Sequence, residues 1–221
     1  MFIKLSYMRT LGLIGGTSWL STMDYYRIIN TETNRRLSGF SSAQMYLHSV
    51  NFADFLPPET EAGWQDLAGR FSQIALKLQQ AGADGILLCA NTPHYVAPAI
   101  RSALSVPLIH IAEATGTEIL RTPIRTVGLL GTKFTMEKRF YTDTLGAMGI
   151  DTIIPDDEDR IYIHRAIFDE MIPGRFLDTT KNKILEIIAR LADRGAEGII
   201  FGCTELPILI KQGTRVPHVI I

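Results

Sequence analysis

Short apolar runs alternate along this chain with longer stretches whose apolar residues recur every three or four positions. Leu11 to Ile14 is the first run, and it ends in Gly15-Gly16. Met23, Tyr26, Ile28 and Ile29 follow at helical spacing. Met45 to Val50 reads as a second strand. Residues 52 to 64 carry Pro57-Pro58 and several acids and read as a loop. Leu67, Phe71, Ile74 and Leu78 mark one face of an amphipathic helix that runs to Gln80 and is stopped by Gly82. Ile86 to Leu88 is a buried strand, and Pro93 stands where a first helical turn begins. Val106 to Ile109 reads as a strand and Ala112 to Leu120 as a helix.

The second half keeps this order. Strands are predicted at Val127 to Leu130, Thr152 to Ile154, Gly198 to Phe201 and Val216 to Ile220. Helices are predicted at Met136 to Met148, Ile161 to Met171 and Lys181 to Arg194. Strands alternating with helices imply an α/β fold with parallel sheets covered on both faces.

The two halves also resemble each other residue by residue. Gly82-Ala83-Asp84-Gly85-Ile86-Leu87-Leu88-Cys89-Ala90-Asn91-Thr92 reads against Gly195-Ala196-Glu197-Gly198-Ile199-Ile200-Phe201-Gly202-Cys203-Thr204-Glu205, 113 positions later. Thr10 to Gly16 matches Thr126 to Thr132 at 116 positions, and Val106-Pro107 matches Val216-Pro217 at 110. These collinear matches imply a duplication: two pseudo-symmetric domains, each a parallel sheet flanked by helices, with an active site at their interface. Residues 1–106, completed by 216–221, are expected to form the first domain and 107–215 the second, the two Val-Pro strands crossing between them. The first Val-Pro strand leads into a helix and the second does not, so a closing helix is expected by symmetry. In the alignment Ala90 stands opposite Cys203.

Composition narrows the function classes. Net charge is −1, so no field gathers nucleic acid or an anionic membrane. No apolar run approaches the ~20 residues of a membrane span. Met1 to Tyr7 is too short for a secretory signal and reads as a start-site extension before Met8. Two widely spaced cysteines fit a reducing cytoplasm and are too few for a cysteine zinc site.

In parallel sheets, function gathers at the carboxyl ends of strands. Four loops hold such places: Gly15 to Ser18, Ala90 to Thr92, Gly131 to Thr135, and Cys203 to Glu205. They are small and hydroxyl-rich, which suits a small carboxylate better than a nucleotide, and no glycine-rich phosphate motif is present. Cys203 is the sharpest candidate, because a thiolate at a helix start can act as nucleophile or proton carrier. Cys89, one residue ahead of the matching position, reads as a buried core thiol. His94 reads as a capping or surface histidine, with an acid/base role as the alternative; His48 and His110 read as packing residues. Glu59 is a solvated loop acid or a selector for a ligand amino group. Lys133 reads as a surface lysine or an anion guide, and Asp156 to Asp159 as an acidic run capping the next helix.

At these loops the sequence resembles the aspartate/glutamate racemase family, especially its bacterial branch acting on L-aspartate and L-glutamate. The resemblance rests on Gly-Leu-Ile-Gly-Gly-Thr-Ser-Trp-Leu-Ser-Thr from Gly12, Cys-Ala-Asn-Thr-Pro-His from Cys89, Leu-Leu-Gly-Thr-Lys-Phe-Thr-Met-Glu from Leu129 and Phe-Gly-Cys-Thr-Glu from Phe201. It spans Arg9 to the end of the chain. It implies an isomerase that uses neither pyridoxal phosphate nor a metal, a small dicarboxylic amino acid as substrate, and a homodimer. It also implies two thiols, one on each side of the substrate α-carbon, one removing a proton and the other returning it. Cys203 matches the second catalytic cysteine. Asn91, Thr92, Thr132, Thr135 and Thr204 match carboxylate-binding positions, and Glu59 falls near a position that helps choose the side chain. Ala90 and Glu205 lie in the same loops and are grouped with the substrate-facing residues.

Ala90 departs from the pattern, since it falls where a cysteine, or in some bacterial relatives a threonine, is the first proton carrier. Alanine has no exchangeable proton, so proton exchange without inversion is expected unless water, Cys89 or His94 supplies the second proton. Two rival readings follow: a one-cysteine decarboxylase or lyase of the same superfamily, and a carboxylate-binding protein without turnover.

Overall fold

The computed structural model describes residues 8–210 and 218–220. The chain divides into two compact units, residues 1–110 and 111–221.

The first unit holds strands β1 (Leu11–Gly15), β2 (Met45–Ser49), β3 (Gly85–Leu88) and β4 (Leu108–Ile109), and helices α1 (Trp19–Leu37), α2 (Glu61–Gln80) and α3 (Ala97–Ala103). Its sheet is parallel, in the order β2-β1-β3-β4. The predicted strands are found almost as read; the central β1 and β3 are largely buried, and such strands spell continuous apolar runs, while the edge strand β2 is mostly open on its faces. The α2 face predicted from Leu67, Phe71, Ile74 and Leu78 is buried, together with Trp64 and Ala75. Burying a side chain the size of Phe71 contributes about 2–3 kcal/mol. The helix begins earlier than its pattern suggested. Thr60 caps it, accepting from the Gly63 backbone N–H at 3.2 Å, so residues 61–64 are helical rather than loop. A short 3₁₀ turn also occupies Phe52–Phe55.

The second unit repeats the plan. It holds α4 (Ile111–Ile119), β5 (Thr126–Gly131), α5 (Lys133–Glu137), α6 (Phe140–Ala147), β6 (Asp151–Ile153), α7 (Asp157–Arg165), α8 (Asp178–Asp193), β7 (Gly198–Gly202), α9 (Leu206–Leu209) and β8 (His218–Ile220). Its parallel sheet runs β6-β5-β7-β8. Alternate strand residues feed two cores. Leu130, Ile199 and Phe201 pack against Ile163, Ile184, Ile188 and Leu191 on one face. Leu129 and Ile200 pack against Ala112, Ile119, Tyr141 and Leu145 on the other. The predicted helix over 136–148 is broken, because Lys138 takes an extended backbone between α5 and α6. The acidic run forms the first turn of α7, where carboxylates offset the helix dipole. Past Arg165, α7 continues as π-helical turns through Met171.

The strand registers match the internal repeat. Leu11 pairs with Gly85 and Ile14 with Leu88; their counterparts Val127 with Gly198 and Leu130 with Phe201 pair in the same way. Ala90 and Cys203 therefore hold equivalent positions, each two residues past an equivalent strand residue. The expected exchange of terminal strands is corrected. Leu108 pairs with Ile86 in the first sheet, while Val219 pairs with Ile199 in the second. Each Val-Pro strand is the fourth strand of its own sheet, so the division falls after His110 rather than after 106, and 218–220 do not complete the first unit. Residues 216, 217 and 221 lie outside the described residues. Among the described residues, no helix is long and apolar enough to cross a membrane.

Candidate active site

Each sheet reverses its strand order between its first and third strands in chain order, β1/β3 and β5/β7. Such a switch point opens a crevice at the carboxyl ends of the two strands. All four chemically promising loops leave from these ends.

In the first unit the β1 loop is held tightly. Gly16 has φ +95, and an added Cβ would run into the backbone of Val50, so only glycine fits. The Gly16 N–H donates to Thr22 Oγ1 at 2.9 Å, and Ser21 Oγ donates to the Cys89 carbonyl at 2.6 Å, tying α1 to the end of β3. Cys89 is 1 % exposed, and burial pushes its thiol up to about 12. It is the core thiol the strand alternation predicted, unsuited to proton transfer at neutral pH. Ala90, Asn91 and Thr92 are all partly exposed, in the turn before α3. Asn91 Oδ1 is buried and has no hydrogen-bond partner, an acceptor left open in the turn.

His94 lies beneath this turn. It is buried, not the capping or surface residue its position suggested. Its Nδ1 approaches the carbonyls of Ala90 at 2.9 Å and Asn91 at 3.2 Å, so this nitrogen carries the proton and donates. Burial, and next the neighbouring His110 ring 4.8 Å away, hold His94 down to about 3 against the pull of the Ala90, Asn91 and Ile109 carbonyls. It is a neutral support for the loop.

In the second unit, Thr132 caps α5 by accepting from the Thr135 N–H at 3.2 Å, and the two hydroxyls lie 3.2 Å apart. Thr135 is 0 % exposed and Thr132 nearly buried, so this pair forms the floor of its loop rather than a ligand-facing surface. Gly202 leaves room for it; an added Cβ would stand 2.8 Å from Thr135 Cγ2. Lys133 extends into solvent and pairs with Glu137 at 3.9 Å. Its backbone N–H donates to His164 Nδ1 at 3.3 Å.

Cys203 follows Gly202 and is partly exposed, its side chain packed on one edge of the second core. Its thiol donates to Glu205 Oε2 at 2.9 Å, and Thr204 Oγ1 donates to the same oxygen at 3.1 Å. Glu205 is 3 % exposed. It turns inward to the thiol instead of outward to a ligand, which changes the substrate-facing role expected of it. Burial raises the Cys203 thiol well above the usual cysteine value, and the Glu205 charge and hydrogen bond push it further; the Glu205 and Thr204 backbone N–H groups offset only part of this. The lowered thiol expected from a helix start is therefore not found, α9 being a single short turn. A protonated thiol is thus held against a buried carboxylate.

A sequence model of the Asp/Glu/hydantoin racemase family matches residues 14–220. The chain belongs to this family. Its fold is similar to that of a Yersinia pestis protein assigned as an Asp/Glu racemase, with TM-score 0.89 and 42% identity over 97% of this chain and 94% of that one. It is also similar to an aspartate racemase homologue from Pyrococcus horikoshii OT3, with TM-score 0.81 and 36% identity over 97% and 93% of the two chains. The broad-specificity amino-acid racemase RacX of Bacillus subtilis (strain 168) is 39% identical over 138 residues, 62% of this chain and 59% of that protein.

Within this member of the racemase family, each unit gathers its own share of the residues singled out from sequence. The first brings Ala90, Asn91 and Thr92 into one turn; the second brings Cys203, Thr204 and Glu205 into another and places Thr132 and Thr135 in the loop after the neighbouring strand β5. Glu59 is exposed, next to the α2 cap Thr60. Sequence reasoning missed the supporting part of His94 and the orientation of Glu205. The run Cys-Ala-Asn-Thr-Pro-His carried a signal for the first, since a residue four places on in a tight turn can reach back to the Ala90 carbonyl.

Proposed function

We propose that this protein is an amino-acid isomerase of the aspartate/glutamate type that works without a cofactor, with Cys203 moving the substrate α-proton. The observation that carries this reading is the Cys203 Sγ–Glu205 Oε2 hydrogen bond of 2.9 Å at the end of β7. In the forward step Glu205 takes the thiol proton, the thiolate takes the proton from Cα, and the C–H electron pair stays on carbon, delocalised into the substrate carboxylate. Return of a proton from Cys203 regenerates the amino acid. Asn91 and Thr92 are assigned to the substrate carboxylate, where hydrogen-bond donors stabilise the charge developing on it. Thr204 is assigned to steadying Glu205, and the buried Thr132–Thr135 pair to supporting the loop.

The names of the relatives support aspartate and glutamate as the substrate class. The RacX match supports tolerance for other side chains, and Glu59 is the residue assigned to side-chain choice. Ala90 supplies no proton. With one carrier the proton leaves and returns on one face, so α-proton exchange outruns inversion.

The test is incubation with L- and D-aspartate and L- and D-glutamate in deuterated water, followed by mass spectrometry and chiral chromatography. The reading expects α-deuterium in at least one of the four, with inversion slower than uptake. Absence of uptake from all four overturns it.

Ala90 also favours a second reading, a decarboxylase or lyase in which Cys203 is the sole proton donor. Formation of a single-handed product from a disubstituted malonate, with no amino-acid exchange, would select that reading. A ligand-induced rise in melting temperature with neither reaction would select a binding protein.

A further inference from the structure

The short helix α5 is tied to α7 at both of its ends. Arg160 and His164 stand one turn apart on α7 and so share one of its faces. Arg160 Nε donates to Glu137 Oε1 at 3.1 Å, at the last residue of α5. The backbone N–H of Lys133, the first residue of α5, donates to His164 Nδ1 at 3.3 Å. The opening N–H groups of a helix find no acceptor within it. Here an imidazole serves one of them, and the Thr132 hydroxyl serves the N–H of Thr135.

The two ties differ in chemistry. A guanidinium and a carboxylate both stay charged through neutral and mildly acid pH. An imidazole nitrogen accepts only while it carries no proton. The Lys133 contact therefore fixes the tautomer, with the lone pair on Nδ1 and the hydrogen on Nε2. The ring is half-buried, its centroid 5.9 Å from that of Phe134 and 4.7 Å from that of Phe168 in the π-helical turns. These neighbours oppose a swing away from the loop, and a protonated ring has no lone pair to offer in either orientation. The charges around it compete. Burial, and next the Lys133 ammonium, hold His164 below its usual value, while the Asp169 and Glu137 carboxylates pull the other way. Arg160, on the same α7 face, is engaged by Glu137 and Asp157.

The tied loop reaches the residue before the reactive sulfur. Thr135 packs against Gly202, where an added Cβ would stand 2.8 Å from Thr135 Cγ2. Gly131, at the start of the loop, pairs in register with Gly202. We propose that His164 is a positioning residue and an acid-sensitive catch: its neutral imidazole holds the loop after β5 against the strand end that carries Cys203, and uptake of one proton from water releases it. The effect on turnover rests on the function proposed above; the catch itself is observable without substrate.

Two-dimensional NMR of the full chain, titrated from about pH 7.5 to about pH 5, tests it. The Lys133 and Thr135 backbone amides should shift together with the His164 ring, on one midpoint below the ordinary histidine value. His164→Asn keeps an acceptor in place of Nδ1 and cannot titrate, so both amides should stay put. His164→Phe keeps a ring between Phe134 and Phe168 but offers no acceptor, so both amides should resemble the acid form of the wild type throughout. Uptake of α-deuterium into aspartate should fall roughly tenfold in His164→Phe at neutral pH, with near wild-type rates in His164→Asn. The acid loss of uptake should be shallower in His164→Asn than in the wild type, and His94 is present in both. Amides that ignore the His164 titration, an unchanged amide transition in His164→Asn, or wild-type amide positions in His164→Phe would overturn the proposal. Absence of deuterium uptake from all three proteins would defeat the functional reading alone, and the amide shifts would still decide this one.

Discussion

The Cys203 thiol donates to Glu205 Oε2 at 2.9 Å, and that carboxylate is almost completely buried. A buried carboxylate beside a thiol makes ionisation of the thiol harder, yet it also supplies a base for the proton once substrate arrives. The same contact thus holds the thiol in its protonated form, and in the proposed function it is also the route to thiolate.

Glu205→Gln separates these two effects. Removing the negative charge should lower the Cys203 pKa, read from the pH dependence of alkylation, with Cys89 too buried to compete. Loss of the base should cut α-proton exchange by roughly 10²–10⁴-fold. A variant with an unchanged thiol pKa and full exchange activity would show that the pair has no chemical role.

The internal proton transfer also sets the pH response. Because the proposed step passes the thiol proton to Glu205 within the site, the wild-type rate of α-proton abstraction should stay level through neutral pH, whereas in Glu205→Gln, where Cys203 must lose its proton to water, it should climb with pH. A wild-type kcat/KM that climbs through neutrality as steeply as the variant's would contradict the transfer to Glu205.

His94 makes the fold acid-sensitive. It titrates near 6.5 when unfolded and is held down to about 3 when folded, so the unfolded chain binds more protons between these values. The stabilising effect of the neutral ring is complete above pH 6.5 and declines as pH falls toward 3, by about 1.4 kcal/mol per pH unit. Chemical denaturation across this range should show the slope. His94→Gln should flatten it, at the cost of lower stability at pH 7.

Ala90→Cys addresses the missing carrier. Ala90 holds the position in the first repeat that Cys203 holds in the second, and it is partly exposed. A thiol there should raise the ratio of inversion to exchange at least tenfold; Ala90→Thr should raise it less. Chiral chromatography in deuterated water checks both, and an unchanged ratio in both variants would remove Ala90 from the reaction.

Particular residues show how far the sequence could be read. Strand ends at Gly15, Leu88, Gly131 and Gly202 were legible because parallel strands buried on both faces leave unbroken apolar runs closed by small residues. The duplication was legible too, and the matching registers of Ile14–Leu88 and Leu130–Phe201 give it physical form. The start of α2 was hidden by Pro57-Pro58 and Gly63, which outweighed the Thr60 cap. The Val-Pro strands were placed in the wrong sheets because a repeat fixes order along the chain but not which neighbour a strand chooses. The direction of Glu205 is hidden for a similar reason: a spacing of two does not say whether a carboxylate turns toward the thiol or toward solvent.

The most direct measurement is the rate of α-deuterium uptake into aspartate and glutamate by the wild type and by Cys203→Ala, with folding matched by circular dichroism. Uptake by the wild type that falls to the uncatalysed rate in the variant is the predicted result. Equal uptake by the two proteins would mean that another group moves the proton.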